Sequence, residues 1–237
     1  TKNNIKVIAL TRNIHQKGYI LKTQANPGYL EIVEGSIFDH ELIKRLLSNA
    51  DLCVNLIGIL FEKGKNNFNN LHVEFPKMIS GYASNYKLEK FVHLSALGIE
   101  NAKDSIYAQS KLKGEKEILN NFNKAVIVRP SIVYSVDDNF TTQLMTLLGL
   151  MPIFPIYYNG KTKFRPIHCS DLTNSITKII IDDIKENIIE FAGPEEMSFK
   201  EILEKLLSLT EKKRLLLPMP ISFAKMTAHI FELLPKP

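Results

Sequence analysis

Val92-His93-Leu94-Ser95-Ala96, then Ser105 to Asn121, then Ala125-Val126-Ile127-Val128-Arg129-Pro130 decide how this chain folds. An apolar run ends at a serine, a long amphipathic run follows, and a second apolar run stops at Arg129-Pro130. That order reads as strand, helix, strand. Outward from it the alternation repeats. Ile5 to Leu10, Tyr29 to Val33 and the nearly all-apolar Leu52 to Ile59 are strand candidates. A run without polar alternation suits a parallel strand covered on both faces. Between them, Asp39 can cap a helix to Asn49 with Leu42, Ile43, Leu46 and Leu47 on one face, and Phe68 to Tyr86 reads as a helix blemished by Pro76. Regular succession of this kind predicts an α/β fold with a parallel sheet and right-handed crossovers. After Pro130 the pattern loosens into segments rich in proline and aromatics (Met151 to Pro166) among helices near Asp171 to Ile181 and Ser198 to Leu209. The expected division is a nucleotide-binding core over 1–135 and a smaller mixed α/β, substrate-side lobe over 136–237, interlocked because no flexible linker separates them.

Ligands of open α/β sheets bind at the carboxyl ends of the strands. Ser95 stands at such an end, and Tyr107-Ala108-Gln109-Ser110-Lys111 follows twelve residues on. Four residues apart on a helix, Tyr107 and Lys111 share a face. An ammonium beside a phenol favours the phenolate and lowers its pKa. The phenol can then exchange a proton with a substrate oxygen while hydride moves to or from a nicotinamide, and a serine hydroxyl can hold that oxygen. Ser95, Tyr107 and Lys111 are therefore the candidate catalytic residues. A tyrosine four before a lysine is a common accident; its place on a helix between two strands that end in Ser95 and Arg129-Pro130-Ser131 gives the pair its weight.

Composition narrows the class further. Thirty basic against 25 acidic residues leave a formal charge of +5, spread rather than blocked, which favours a solvated surface over a nucleic-acid face. The two cysteines, Cys53 and Cys169, make no disulfide framework and fit a reducing compartment. No run reaches the roughly 18 apolar residues of a spanning helix; Leu144 to Tyr158 is broken by Gly149, Pro152 and Pro155. Thr1-Lys2-Asn3-Asn4 has no signal-peptide character. His168-Cys169 with Asp171 is too sparse for zinc. His15, His40, His72, His93 and His229 read as isolated surface or core histidines, and Asp137-Asp138 as the cap of a helix from Phe140.

Ser95, Tyr107-x-x-x-Lys111 running into Gly114-Glu115, and Val128-Arg129-Pro130-Ser131-Ile132-Val133-Tyr134 resemble the core of the extended and atypical short-chain dehydrogenases/reductases. Val54 to Gly58, Glu89 to Ser95, Asp138-Asn139-Phe140 and Leu216 to Pro220 before Phe231-Glu232 are similar to the branch that holds the NADPH-binding accessory subunit of respiratory complex I and its bacterial homologues. The resemblance implies a Rossmann-type doubly wound parallel sheet. Ile5 to Leu10 matches that family's second strand, so the resemblance implies that the first strand and its glycine-rich loop are missing from this chain, and the lobe is expected to be truncated at its C-terminus. The same resemblance implies that Lys111 also touches the nicotinamide ribose. It sets Asn55, Leu56, Ile57 and Gly58 in the turn beside the cofactor, Pro130 and Ser131 near the nicotinamide, and Ser36 and Ile37 at the adenine. Where the family often has an asparagine, His72 stands, which leaves a proton relay there in question. The end of the second strand, Leu10-Thr11-Arg12-Asn13, carries no acid, and Arg12 can grip a 2′-phosphate. NADP(H) is accordingly expected over NAD(H).

The reading that follows is an NAD(P)H-dependent oxidoreductase or cofactor-holding subunit of respiratory-chain or quinone metabolism. Its expected partners are the dinucleotide and either complex I or an apolar, quinone-like substrate, with no nucleic acid and with peripheral membrane contact as a second reading of the apolar stretches 144–158 and 215–234. The compartment is the mitochondrial matrix or the bacterial cytoplasm. Two alternatives stay open: a non-catalytic dinucleotide-binding module, and a nucleotide-sugar epimerase or dehydratase.

Overall fold

A computed structural model describes residues 3–23 and 25–220. His229, the Phe231-Glu232 pair and the end of the apolar stretch 215–234 lie outside the described residues. The chain divides into two compact units, Thr1–Leu94 with Ile99–Ile127, and Ser95–Gly98 with Val128–Pro237.

The first unit opens with the β-strand β1 (Val7–Thr11), helix α1 (Ile14–Thr23) and strand β2 (Leu30–Glu34). β1 and β2 pair in parallel, with Thr11 opposite Glu34. Helix α2 (His40–Leu47) starts at Asp39, whose carboxylate accepts from Leu42 N–H at 3.0 Å, and it buries Leu42, Ile43 and Leu47. The cap and the apolar face are those expected from the sequence. Strand β3 (Leu52–Asn55) is shorter than its apolar run. Asn55 Oδ1 accepts from Ile57 N–H at 3.0 Å, which turns the chain and leaves Leu56 61% exposed.

The long helix expected over 68–86 is two elements, a π-helix (Asn69–Glu74) and helix α3 (Phe75–Asn85). Pro76 is no blemish, because it falls in the first turn of α3, where its missing N–H costs least. Strand β4 (Lys90–Leu94) pairs in parallel with β3, and helix α4 (Ile106–Asn121) starts from Ser105, whose Oγ accepts from Ala108 N–H. Strand β5 (Val126–Pro130) begins in this unit. Phe75, Ile79, Phe91, Ile118 and Ile127 form the centre of the unit's core, drawn from both helices and the sheet. Burying each such side chain contributes on the order of 1.5–3 kcal/mol.

The second unit continues with β6 (Val133–Tyr134), α5 (Asn139–Leu150), β7 (Ile153–Tyr157), β8 (Lys163–Phe164), β9 (Ile167–His168), α6 (Cys169–Ile181), β10 (Ile188–Phe191), β11 (Met197–Ser198), α7 (Phe199–Leu209) and β12 (Leu215–Met219). β6 runs parallel to β9 and β7 to β12, whereas β8 and β11 are antiparallel. β10 lies beside the end of β5, where Ser131 N–H donates to Phe191 O at 2.8 Å. Leu144 and Leu148 of α5 pack with Phe154 and Ile156 of β7 and Ile202, Leu203, Leu206 and Leu207 of α7. Asp138 caps α5 as expected, and His168, discounted as a metal ligand, accepts from Ser170 N–H at the start of α6.

Candidate functional site

Tyr107 and Lys111 lie on α4 of the first unit, and what surrounds them is a buried polar cluster built from β3, β4, the π-helix and α4. Lys111 is 4% exposed, and its ammonium donates to the Leu94 carbonyl at 3.1 Å. Burial draws its pKa down to about 8 against the pull of Glu115 one turn on. Gly58, in the turn after β3, makes room for it: a Cβ there would meet Lys111 Nζ at 3.2 Å.

Two histidines that look isolated in sequence meet here. His72 is 1% exposed; Ile59 N–H donates to its Nε2 at 3.1 Å, and its Nδ1 lies 2.8 Å from Ser110 Oγ. Ser110 Oγ donates to Tyr107 O at 2.7 Å, so it accepts from His72. These contacts assign a bare Nε2 and a protonated Nδ1. Burial, then the Lys111 charge, holds the ring neutral with a pKa lowered to about 4. His93 is fully buried, and burial followed by the Lys111 charge holds it neutral too. Asn55 Nδ2 donates to its Nδ1 at 2.9 Å, because the amide oxygen is already taken by Ile57 N–H. The proton of His93 therefore sits on Nε2, which has no acceptor among the described residues. Sequence spacing carried no signal for this cluster, since its pairs Asn55–His93 and His72–Ser110 each span 38 residues.

The Tyr107 ring stands edge-on to His72 and Phe68, with centroids 5.4 and 5.9 Å away. Its phenol departs from the sequence expectation. Burial raises its pKa, where the spacing to Lys111 predicted a lowered one. In this form Tyr107 is a neutral proton donor rather than a primed phenolate.

The other expected residues are distributed as follows. Asn55 to Gly58 form the turn beside the Lys111 cluster. Ser36 and Ile37 follow β2, with Ser36 Oγ accepting from Phe38 N–H. Arg12 is exposed after β1. The absence of an acid at the end of the first strand holds only along the sequence: the parallel register sets Glu34 opposite Thr11, and its carboxylate accepts from Ile14 N–H at 3.0 Å. Ser95, Pro130 and Ser131 belong to the second unit. Ser95 is buried, its N–H donates to Val128 O, and its Oγ has no partner among the described residues. Within the first unit, a buried His93 N–H without an acceptor among the described residues, a glycine that leaves room for the lysine and an ammonium donating to the Leu94 carbonyl suit a polar ligand such as a nicotinamide dinucleotide, which would supply hydride chemistry when bound.

No family model matches the chain. Its fold is similar to that of solved epimerases and reductases in complex with NAD or NADP. A UDP-glucuronic acid 4-epimerase from Bacillus cereus in complex with NAD aligns with a TM-score of 0.75 at 19% identity, over 92% of this chain and 79% of its own. A dTDP-4-dehydrorhamnose reductase from Bacillus anthracis in complex with NADP aligns at 0.72 and 17% identity, over 91% and 84%. Among curated proteins the chain is related to the mitochondrial NADH dehydrogenase (ubiquinone) 1 alpha subcomplex subunit 9, as the sequence motifs implied. It is 28% identical to that of Dictyostelium discoideum over 90% of this chain and 60% of the relative. Against that of Mus musculus it is 24% identical over 91% and 57%. A ceramide reductase of Caulobacter vibrioides is 25% identical over 60% of this chain and 44% of its own. The chain thus spans about three-fifths of the length of the complex I relatives.

Proposed function

We propose that this chain is the greater part of an NAD(P)H-binding atypical short-chain dehydrogenase that acts as a reductase or holds its cofactor as a subunit of respiratory complex I. The observation that carries this reading is the buried Lys111 cluster beside the Asn55–Gly58 turn. Lys111 and the turn would hold the nicotinamide ribose, Pro130 and Ser131 the nicotinamide, Ser36 and Ile37 the adenine end, and Arg12 a 2′-phosphate. Tyr107 would be the general acid, with Ser95 holding the substrate oxygen. NADP(H) is the proposed cofactor on the strength of the exposed Arg12, although Glu34 brings an opposing charge near that turn. The complex I relatives are mitochondrial and favour a respiratory-chain partner in the mitochondrial matrix; the bacterial cytoplasmic face is the alternative. Among the described residues no helix is long and apolar enough to cross a membrane.

The deciding experiment measures NADPH and NADH affinity by nucleotide fluorescence, with reductase turnover, for the native chain and for Tyr107→Phe. Retained affinity with lost turnover identifies an enzyme. Absence of turnover in both, with retained affinity, identifies a cofactor-holding subunit. Failure of the native chain to bind either nucleotide refutes the proposal. For cofactor choice, Arg12→Asp is expected to shift preference from NADPH towards NADH, and an unmoved preference removes Arg12 from the site.

A further inference from the structure

We infer that His72 is a positioning residue, a clamp that ties the turn after β3 to the face of α4 bearing Tyr107 and Lys111, and that dinucleotide affinity depends on it. The inference rests on the proposed function above and assigns a task to a side chain that the family pattern leaves in question.

The two ring nitrogens of His72 face different elements. Nε2 accepts from Ile59 N–H, one residue beyond Gly58, and Nδ1–H donates to Ser110 Oγ, one residue before Lys111. Ser110 passes the contact to the Tyr107 carbonyl. One imidazole therefore fixes the separation between the turn proposed to meet the cofactor and the helix proposed to meet its ribose. Only the neutral ring can do this, because protonation would turn the acceptor at Ile59 into a donor. The groups around it agree: burial and the Lys111 charge oppose protonation, Phe68 stacks on the ring with centroids 5.2 Å apart, and Tyr107 stands edge-on to it. The backbone is arranged to the same end. His72 lies in the π-helix, a form that recurs at functional sites, and Gly114 lets α4 approach the His72 carbonyl at backbone contact.

The test uses the chain as it stands, with NADPH and NADH as probes. A long-range 15N–1H spectrum of the native protein should show His72 protonated at Nδ1 and bare at Nε2, and the Ile59 amide should exchange slowly. His72→Phe keeps a ring but loses both bonds; it is expected to weaken nucleotide binding at least tenfold and to speed Ile59 exchange. Ser110→Ala cuts only the helix side and should give a smaller loss with Ile59 still protected. Native affinity in His72→Phe, or a proton on Nε2 in the native ring, overturns the clamp. Should His72→Phe fail to fold, the native ring spectrum and Ser110→Ala decide. If the native chain binds neither nucleotide, the proposed function fails, while the tautomer and the Ile59 amide still judge the clamp.

Discussion

Two helical glycines make opposite predictions from the same substitution. A Cβ on Gly114 of α4 would lie 3.0 Å from the carbonyl carbon of His72, with the carbonyl oxygen closer still. Ordinary carbon contacts sit at about 3.5–4.0 Å, so α4 and the π-helix would have to part by roughly an ångström or more. Both partners are backbone, and neither can rotate away. Overpacking of this kind costs about 3 kcal/mol, against which the better helix propensity of alanine returns about 1 kcal/mol. The net expectation for Gly114→Ala is a loss of about 2 kcal/mol. A Cβ on Gly81 of α3 would meet only Asn121 Nδ2, at 3.9 Å, so Gly81→Ala should gain about 0.5–1 kcal/mol. For a chain of this size each kcal/mol moves the thermal midpoint by about 2–4 °C. Calorimetry should therefore find Gly114→Ala lowered by about 4–8 °C and Gly81→Ala raised by about 1–4 °C. Because Tyr107 and Lys111 lie on the same helix as Gly114, nucleotide affinity should fall with the first variant alone. Equal midpoints for the two variants would refute the close approach of α4 to His72.

Acid should destabilise the first unit before its carboxylates titrate. His72 and His93 are neutral in the fold, with His72 lowered to about 4, but take a proton near pH 6.5 when unfolded. The unfolded state thus binds more protons between those values, and stability present above pH 6.5 is lost as pH falls towards 4, by at most about 1.4 kcal/mol per unit per histidine. Urea unfolding as a function of pH checks this, and His72→Gln should flatten the slope. In the second unit, Ser198 and Glu201 form a reciprocal capping box at α7, and Ser198→Ala should cost about 1 kcal/mol in chemical denaturation. Desolvation pushes the Cys53 thiol up to about 12, so maleimide labelling at neutral pH should be slow at Cys53 in the folded chain and fast in urea, as followed by mass spectrometry.

Much of this was legible along the chain because it is written in short-range pattern. Apolar runs gave the strands, Asp39, Asp138 and Ser198 stand where helices begin, and the four-residue spacing of Tyr107 and Lys111 put both on one helix face. Each of these depends on neighbours within a turn or two, and so survives whatever the rest of the fold does. Tertiary structure decided what depends on distance. It turned the chain at Asn55 within an apolar run and used Pro76 to open α3. By strand register it brought Glu34 opposite Thr11, where the sequence shows no acid. It gathered His72, His93 and Asn55 around Lys111, pairing Asn55 with His93 and His72 with Ser110 across 38 residues each. It also buried Tyr107, and desolvation raises the pKa of the phenol that the spacing to Lys111 predicted to be lowered. Desolvation depends on the whole packed surroundings of a group and is not encoded in residue spacing.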